Sequence, residues 1–401
     1  MAIALENAKI FQNGRLESST LFLSDTIQSD GQKDNVVDCK GMWVLPGLID
    51  AHVHFRVPGG EHKEDWKTGS LSAAHGGVTT VLDMPNTNPA TTTIGALKQK
   101  QEIAQKDSLV RFGFHFGATS ENFDEASQAN GIQSIKMYMG SSTGNLLVNN
   151  EVIWRKWFQL CKEKNLTMVV HAEYEPLIVN HSQKFTQNTV QVHNKIRDST
   201  VEATAIQKAL TLQQEIGNKL HIAHLTSKEG MELVARAKQE NSGVSCEVCP
   251  HHLFLSEDDL EKLGNFGKMN PPLRTKEDIA ALWKGIRNGV VDCIATDHAP
   301  HTIEEKNRPY PDAPSGVPGV ETMLPLLLTA VHDEKITVED IVRCCGENPA
   351  RIFGMPDRGS LDVGKLADVV VVDPQREWIL KGSELHSKCG WTPFEGFRLR
   401  G

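Results

Sequence analysis

The chain has 401 residues, of which 39% are hydrophobic and 23% charged, and a formal net charge of −9. An acidic balance leaves no basic footprint for nucleic acid, and no apolar run approaches the roughly 20 residues that cross a bilayer. The first residues lack a charged segment leading into an apolar core, and eight scattered cysteines read as reduced thiols of a cytoplasmic protein.

Residues 1–46 alternate short apolar runs with polar turns, among them residues 8–11 followed by Asn13-Gly14, a hairpin signal. The C-terminal part has the same style. A turn-rich stretch over 359–365 leads into the apolar run 367–372. Residues 1–46 and 355–401 are therefore expected to meet in one small β domain around a body of residues 47–354. In that body strand-like and helical patterns take turns. Strands are expected over 78–82, 109–116, 135–138, 167–170, 219–223, 244–248 and 290–295, and helices over 96–105, 151–164, 201–216, 231–239 and 279–288. Such alternation predicts parallel strands with crossover helices, and at this length a (β/α)₈ barrel. The runner-up is an open doubly wound sheet. No G-x-G-x-x-G opens a helix, which weakens a dinucleotide-binding reading.

The stretch Pro46-Gly47-Leu48-Ile49-Asp50-Ala51-His52-Val53-His54-Phe55-Arg56 holds two histidines at i and i+2. Residues two apart in a strand face the same side, so His52 and His54 can aim at one metal ion. Alone, such a pair is more often a strand end with two surface histidines. What changes the balance is that His52, His54, Lys136, His171, His224 and Asp297 all sit at the C-terminal ends of apolar runs. In a barrel those ends converge on one face. Four imidazoles and a carboxylate exceed the needs of one tetrahedral zinc and suit two metals sharing a bridge. A protonated Lys136 does not belong between two dications. It must be neutral, displaced, or converted by CO₂ to an anionic carbamate. Read alone it is a structural or solvent lysine.

The first of these motifs resembles the amidohydrolase superfamily. Two others, Asp83-Met84-Pro85-Asn86-Thr87-Asn88-Pro89 and Lys268-Met269-Asn270-Pro271-Pro272-Leu273-Arg274, narrow the resemblance to dihydroorotase, a cyclic amidohydrolase of pyrimidine synthesis, and Thr296-Asp297-His298-Ala299-Pro300-His301 resembles it too. The similarity covers nearly the whole chain. It implies a (β/α)₈ barrel with a binuclear zinc site. One zinc is expected on His52, His54 and Asp297, the other on His171 and His224, with carbamylated Lys136 and a hydroxide between them. Some members use an aspartate bridge; this chain presents Lys136. The resemblance further implies that Asp297 shuttles a proton and that Arg56, Asn86 and His301 bind the substrate carboxylate. Asn270 and the Ser315-Gly316 backbone are expected at the ring. The reaction is the reversible hydrolysis of dihydroorotate to N-carbamoyl-aspartate on the route to UMP. A homodimer and an aspartate carbamoyltransferase partner are expected too. Val57 departs from the glutamate common in the family.

Two competing functions remain. Allantoinases and hydantoinases use similar metal sites, but Arg56 and Asn86 favour a carboxylate-bearing substrate. A non-catalytic homologue supporting the transferase would have lost ligands, and this chain keeps all six positions. Other residues read more plainly. Cys246-x-x-Cys249 and the adjacent His251-His252 lack the second cysteine pair of a zinc knuckle, so the cysteines read as structural. His75 reads as a helix C-terminal residue and His115 as a core or supporting histidine. Arg197 and Glu202 read as an intrahelical or interdomain pair. Residues 140–144 lack the ending of a phosphate loop and read as a loop beside Lys136.

Overall fold

Eight short strands explain the continuous apolar runs of the body. They are Leu48–Val53, Val78–Asp83, Arg111–Gly117, Ser134–Tyr138, Thr167–His171, Lys219–Ile222, Val244–Val248 and Cys293–Ile294 in a computed structural model that describes residues 2–31, 35–185, 187–240 and 243–401. They pair in chain order, all parallel where pairing is recorded between them. The first strand meets the segment just after the last through a parallel bridge between Val53 and His298, where His54 N–H donates to His298 O at 2.8 Å. Every residue of Ser134–Tyr138, Thr167–His171 and Val244–Val248 is buried. Strands covered on both faces cannot alternate apolar with polar, which is why they read as runs.

Helices return the chain between strands. Glu151–Lys164 starts at Asn150, whose side chain accepts from Val152 N and Ile153 N, and stops where Asn165 turns left-handed at φ 54°. It buries Trp154, Trp157, Phe158 and Cys161. Ser199–Ile216 and Lys276–Arg287 are capped in the same way by Asp198 and Thr275. The helix Met323–His332 has no counterpart in the sequence reading. It buries Met323, Leu324, Leu326, Leu327, Leu328 and Ala330 and leaves the narrow face of Pro325, Thr329 and His332 less buried, so its sequence reads as an almost continuous apolar run. No described helix is long and apolar enough to cross a membrane.

A six-stranded sheet stands beside the barrel. Ile3–Gln12 and Arg15–Leu23 form a hairpin across Asn13 and Gly14, both at positive φ, 52° and 77°. Trp43–Pro46 pairs with Ile3–Gln12 on one side and antiparallel with Val369–Val372 on the other, so the two chain ends do meet. Of the segment 355–401 the small sheet takes Val369–Val372. The residues after it fold back on the barrel. Leu380, Trp391, Phe394 and Leu399 share a core with Leu255, Met269, Leu273, Val317 and Leu326, and Trp391 Nε1 donates to His301 O at 2.8 Å. Large aromatic side chains in the last stretch find their burial there, not in the small sheet.

Candidate active site

The strand ends bring the sequence candidates together. His52, His54, Lys136, His171, His224 and Asp297 are all buried. Arg56, His224 and Asp297 sit at φ 67°, 36° and 45°, a left-handed region costly for residues with a Cβ. Surrounding bonds hold them there. Asp50, for one, accepts from Thr296 N at 3.0 Å, immediately before Asp297.

Carboxylates aim the imidazoles. Glu247 Oε1 takes His52 Nδ1 at 2.5 Å and His224 N at 3.2 Å, while its Oε2 takes His221 Nε2 at 3.1 Å. His52 Nε2 is thereby directed at Asp297 Oδ1, 3.3 Å away, which also meets His54 Nε2 at 2.9 Å. On the other side Glu173 Oε2 meets His171 Nε2 at 2.7 Å, leaving His171 Nδ1 facing His224 Nε2 at 2.9 Å. Acids behind metal-binding histidines set both tautomer and ring orientation. Ligand atoms of His52, His54 and Asp297 all lie within 4.8 Å of one another, a group that could hold a metal ion.

Two buried nitrogens in this cluster, Lys136 Nζ and His224 Nδ1, have no hydrogen-bond partner among the described residues. Burial brings the Lys136 amine down to about 8, which makes its neutral form easier to reach. Burial also pushes the Glu173 carboxyl up, but the adjacent Arg197 and His171 outweigh this and hold it at about 2. An orphaned, easily neutralised amine beside converging imidazoles fits a metal-bridging role better than that of a structural cation.

A small cavity opens over the cluster. His52, His54, His171, His224 and Asp297 line it together with Arg56, Asn86, Asn270, Ser315 and Gly316. Lys136 and His301 are not among its lining. His301 stands behind Arg56, with Nε2 3.2 Å from Arg56 Nη2 and 3.0 Å from Ser315 O. Arg56 Nε donates to Pro300 O at 3.1 Å. Asn86 Oδ1 takes His54 Nδ1 at 2.7 Å, and its amide donates to Thr143 O at 3.0 Å. Asn270 Oδ1 takes His193 Nε2 at 2.8 Å. Gly316 is at φ 138°, where a Cβ would lie 2.5 Å from Ala299 O, so only glycine lets this backbone approach the cavity.

Several supporting residues were missed in the sequence. Glu247 had a signal, an acid near the end of a wholly buried strand. Glu173 and the buried Lys306 had none. Lys306 Nζ donates to Lys268 O, Pro314 O and Gly316 O at 3.1, 3.0 and 3.1 Å and so braces the loop beside the cavity. The expected Arg197–Glu202 pair does not form. Arg197 pairs with Glu173 and donates to Ser141 O, and Glu202 accepts from Thr226 N and Ser227 N at 2.9 and 2.8 Å. The two side chains are drawn apart by separate buried groups that each need a partner. His115 is a core residue bonded to Ser134 Oγ and Ala51 O.

An eight-stranded barrel with imidazoles, a lysine and a carboxylate at its strand ends, joined to a small sheet, defines a metal-dependent hydrolase. A family model described as "Amidohydrolase family" matches residues 43–388. The chain is 40% identical to a dihydroorotase of Methanosarcina mazei over 98% of this chain and 90% of that one. It is 43% identical to a dihydroorotase of Halobacterium salinarum over 88% of this chain and 82% of that one. Among solved structures, an L-hydantoinase (dihydropyrimidinase) from Arthrobacter aurescens superposes with a TM-score of 0.96 at 29% identity, covering 99% of this chain and 92% of that one. The chain belongs to the amidohydrolase family and, within it, to the dihydroorotases.

Proposed function

We propose that this protein catalyses the reversible ring opening of dihydroorotate to N-carbamoyl-aspartate. The observation that carries the reading is Arg56. Its guanidinium is buried, yet among the described residues its hydrogen bonds run to a carbonyl and an imidazole and it has no ion pair with an acid. A buried cation on a cavity wall calls for an anion from the ligand. Dihydroorotate carries a carboxylate; hydantoin and allantoin do not. Asn86, bonded to His54 and the 140–144 loop, stands on the same cavity. This separates the reading from that of the hydantoinase, whose fold the chain shares.

His52, His54 and Asp297 would hold one zinc and His171 and His224 a second, and Lys136, as its carbamate, would be shared by both. The neutral Lys136 amine attacks CO₂, forms the N–C bond and releases a proton, leaving an anion. Bound metal would supply Lewis acidity and a water of lowered pKa. The chain's own groups do the rest. Arg56, Asn86 and, through Arg56, His301 hold the substrate carboxylate. Asn270 and the backbone of Ser315 and Gly316 face the ring. Asp297 takes the proton of the attacking water and delivers it to the ring nitrogen as the ring C–N bond breaks. In the closing direction the same carboxylate takes that proton back. All eight cysteines are free, which supports a reducing, cytoplasmic setting. The homodimer and the aspartate carbamoyltransferase partner belong to this proposal, and sizing the protein alone and with the transferase tests them.

The deciding experiment offers dihydroorotate, hydantoin and allantoin separately to protein supplied with zinc and bicarbonate, with metal counted on the same sample. Turnover of dihydroorotate alone with at least two metals per chain is expected. Faster turnover of hydantoin, or no dihydroorotate turnover in metal-loaded protein, would overturn the assignment.

A further inference from the structure

A second cluster of ligating side chains lies just beyond the strand Val244–Val248, and the site described above uses none of them. Cys249 leads into the short helix Pro250–Phe254, which carries His251 and His252. Cys249 is 0% exposed and both histidines 2%. One ligand atom from each of the three lies within 4.8 Å of the others. The two rings are 4.2 Å apart at an interplanar angle of 61°.

The hydrogen bonding shows what these rings lack. His252 Nε2 is 3.0 Å from Pro271 O. A carbonyl only accepts, so Nε2 carries the proton and Nδ1 presents a bare lone pair. That Nδ1 is buried with no hydrogen-bond partner among the described residues, and so is His251 Nε2. Buried polar atoms are ordinarily paired, and two orphans on adjacent residues need an explanation. The other cysteine of the C-x-x-C spacing plays no part, because Cys246 Sγ faces Val290 O at 3.5 Å.

We propose that Cys249, His251 and His252 bind a soft divalent ion, zinc by preference, through side chains that the strand-end cluster does not use. A thiolate with two imidazoles matches zinc and excludes magnesium and calcium. On binding, the sulfur–metal bond replaces the S–H bond and the proton leaves to solvent. The ion would have a positioning role. The same His252 ring holds Pro271 O, one residue from Asn270 on the cavity wall, so the metal would brace that wall through the imidazole. The inference does not depend on which cyclic amide the protein opens.

The test uses cobalt as a reporter, because a thiolate on Co²⁺ gives a strong near-ultraviolet charge-transfer absorption that imidazole, carboxylate and carbamate ligands do not. Full-length protein is stripped with a chelator, reloaded with Co²⁺, and its spectrum and metal count recorded. The wild type is expected to show the band and to hold one metal more per chain than Cys249→Ala and His252→Gln, both of which lose it. His252→Gln keeps an amide donor for Pro271 O while removing the free nitrogen. Absence of the band from fully loaded wild type overturns the proposal. So does its persistence in Cys249→Ala, or an equal metal count in all three proteins. If either variant fails to fold, the wild-type spectrum still decides whether sulfur binds the ion.

Discussion

Arg56 faces a carbonyl and an imidazole where a buried guanidinium would ordinarily face an acid. If it serves the substrate carboxylate, Arg56→Met should raise KM for dihydroorotate by roughly 10- to 100-fold, the worth of one charge-assisted hydrogen-bonded contact, with a smaller effect on kcat. Steady-state kinetics checks this, and an unchanged KM removes Arg56 from the carboxylate site. Asp297 is held between His52 and His54. Its amide counterpart cannot take up a proton, so Asp297→Asn should lower kcat by about 10²- to 10⁴-fold. Metal content on the same sample separates lost proton transfer from lost metal, and a fall of less than tenfold with metal retained contradicts the shuttle. At this scale the i, i+2 spacing of His52 and His54 was legible because two residues in a strand are enough to define a shared face. The partner of His52 was not legible, because Glu247 lies 195 residues away in the chain.

The loop after the strand Ser134–Tyr138 shows how an element depends on a residue without chemistry of its own. A Cβ on Gly140 would lie 2.6 Å from Glu173 O and 2.8 Å from Glu173 Cβ. Close contact there lets Ser142 and Thr143 reach the cavity. Gly140→Ala should push the loop off its seat, at a cost of about 1–3 kcal/mol as for other overpacked positions, and raise KM. Denaturant unfolding together with kinetics checks both parts; a variant with wild-type stability and KM would show that the loop does not rest on this contact. The helices were the most legible elements. Asn150, Asp198 and Thr275 mark their starts with side-chain caps, and a cap is a local signal. Met323–His332 was harder to read because its less buried face, Pro325, Thr329 and His332, is narrow and the residues between are almost all apolar.

Across the whole molecule, burial keeps several histidines neutral. His115, His193 and His301 are all pushed down to about 3, burial being the largest cause in each. Their ordinary value is about 6.5. Between these limits the unfolded chain binds more protons than the folded one, so stability rises with pH there and falls on acidification. Unfolding midpoints of metal-free protein should therefore drop as the pH is lowered from about 6.5 toward 4. His115→Gln, which removes one of these groups away from the cavity, should show a shallower drop. Equal midpoints at pH 7 and pH 5 would contradict the linkage.

The apolar runs, the Asn13-Gly14 turn, the caps and the ligand-type residues at strand ends were all present in local sequence. They determined a parallel barrel, a small sheet shared by the chain ends, and which side chains can carry metal chemistry. Closure of the barrel decided the rest. It set Glu247 behind His52 and Glu173 behind His171, split Arg197 from Glu202, and returned Trp391 to the barrel beside His301. The physical reason is reach. Period, turn and cap act over a few residues, whereas a buried polar group takes whichever partner the packed chain brings to it, however distant in sequence.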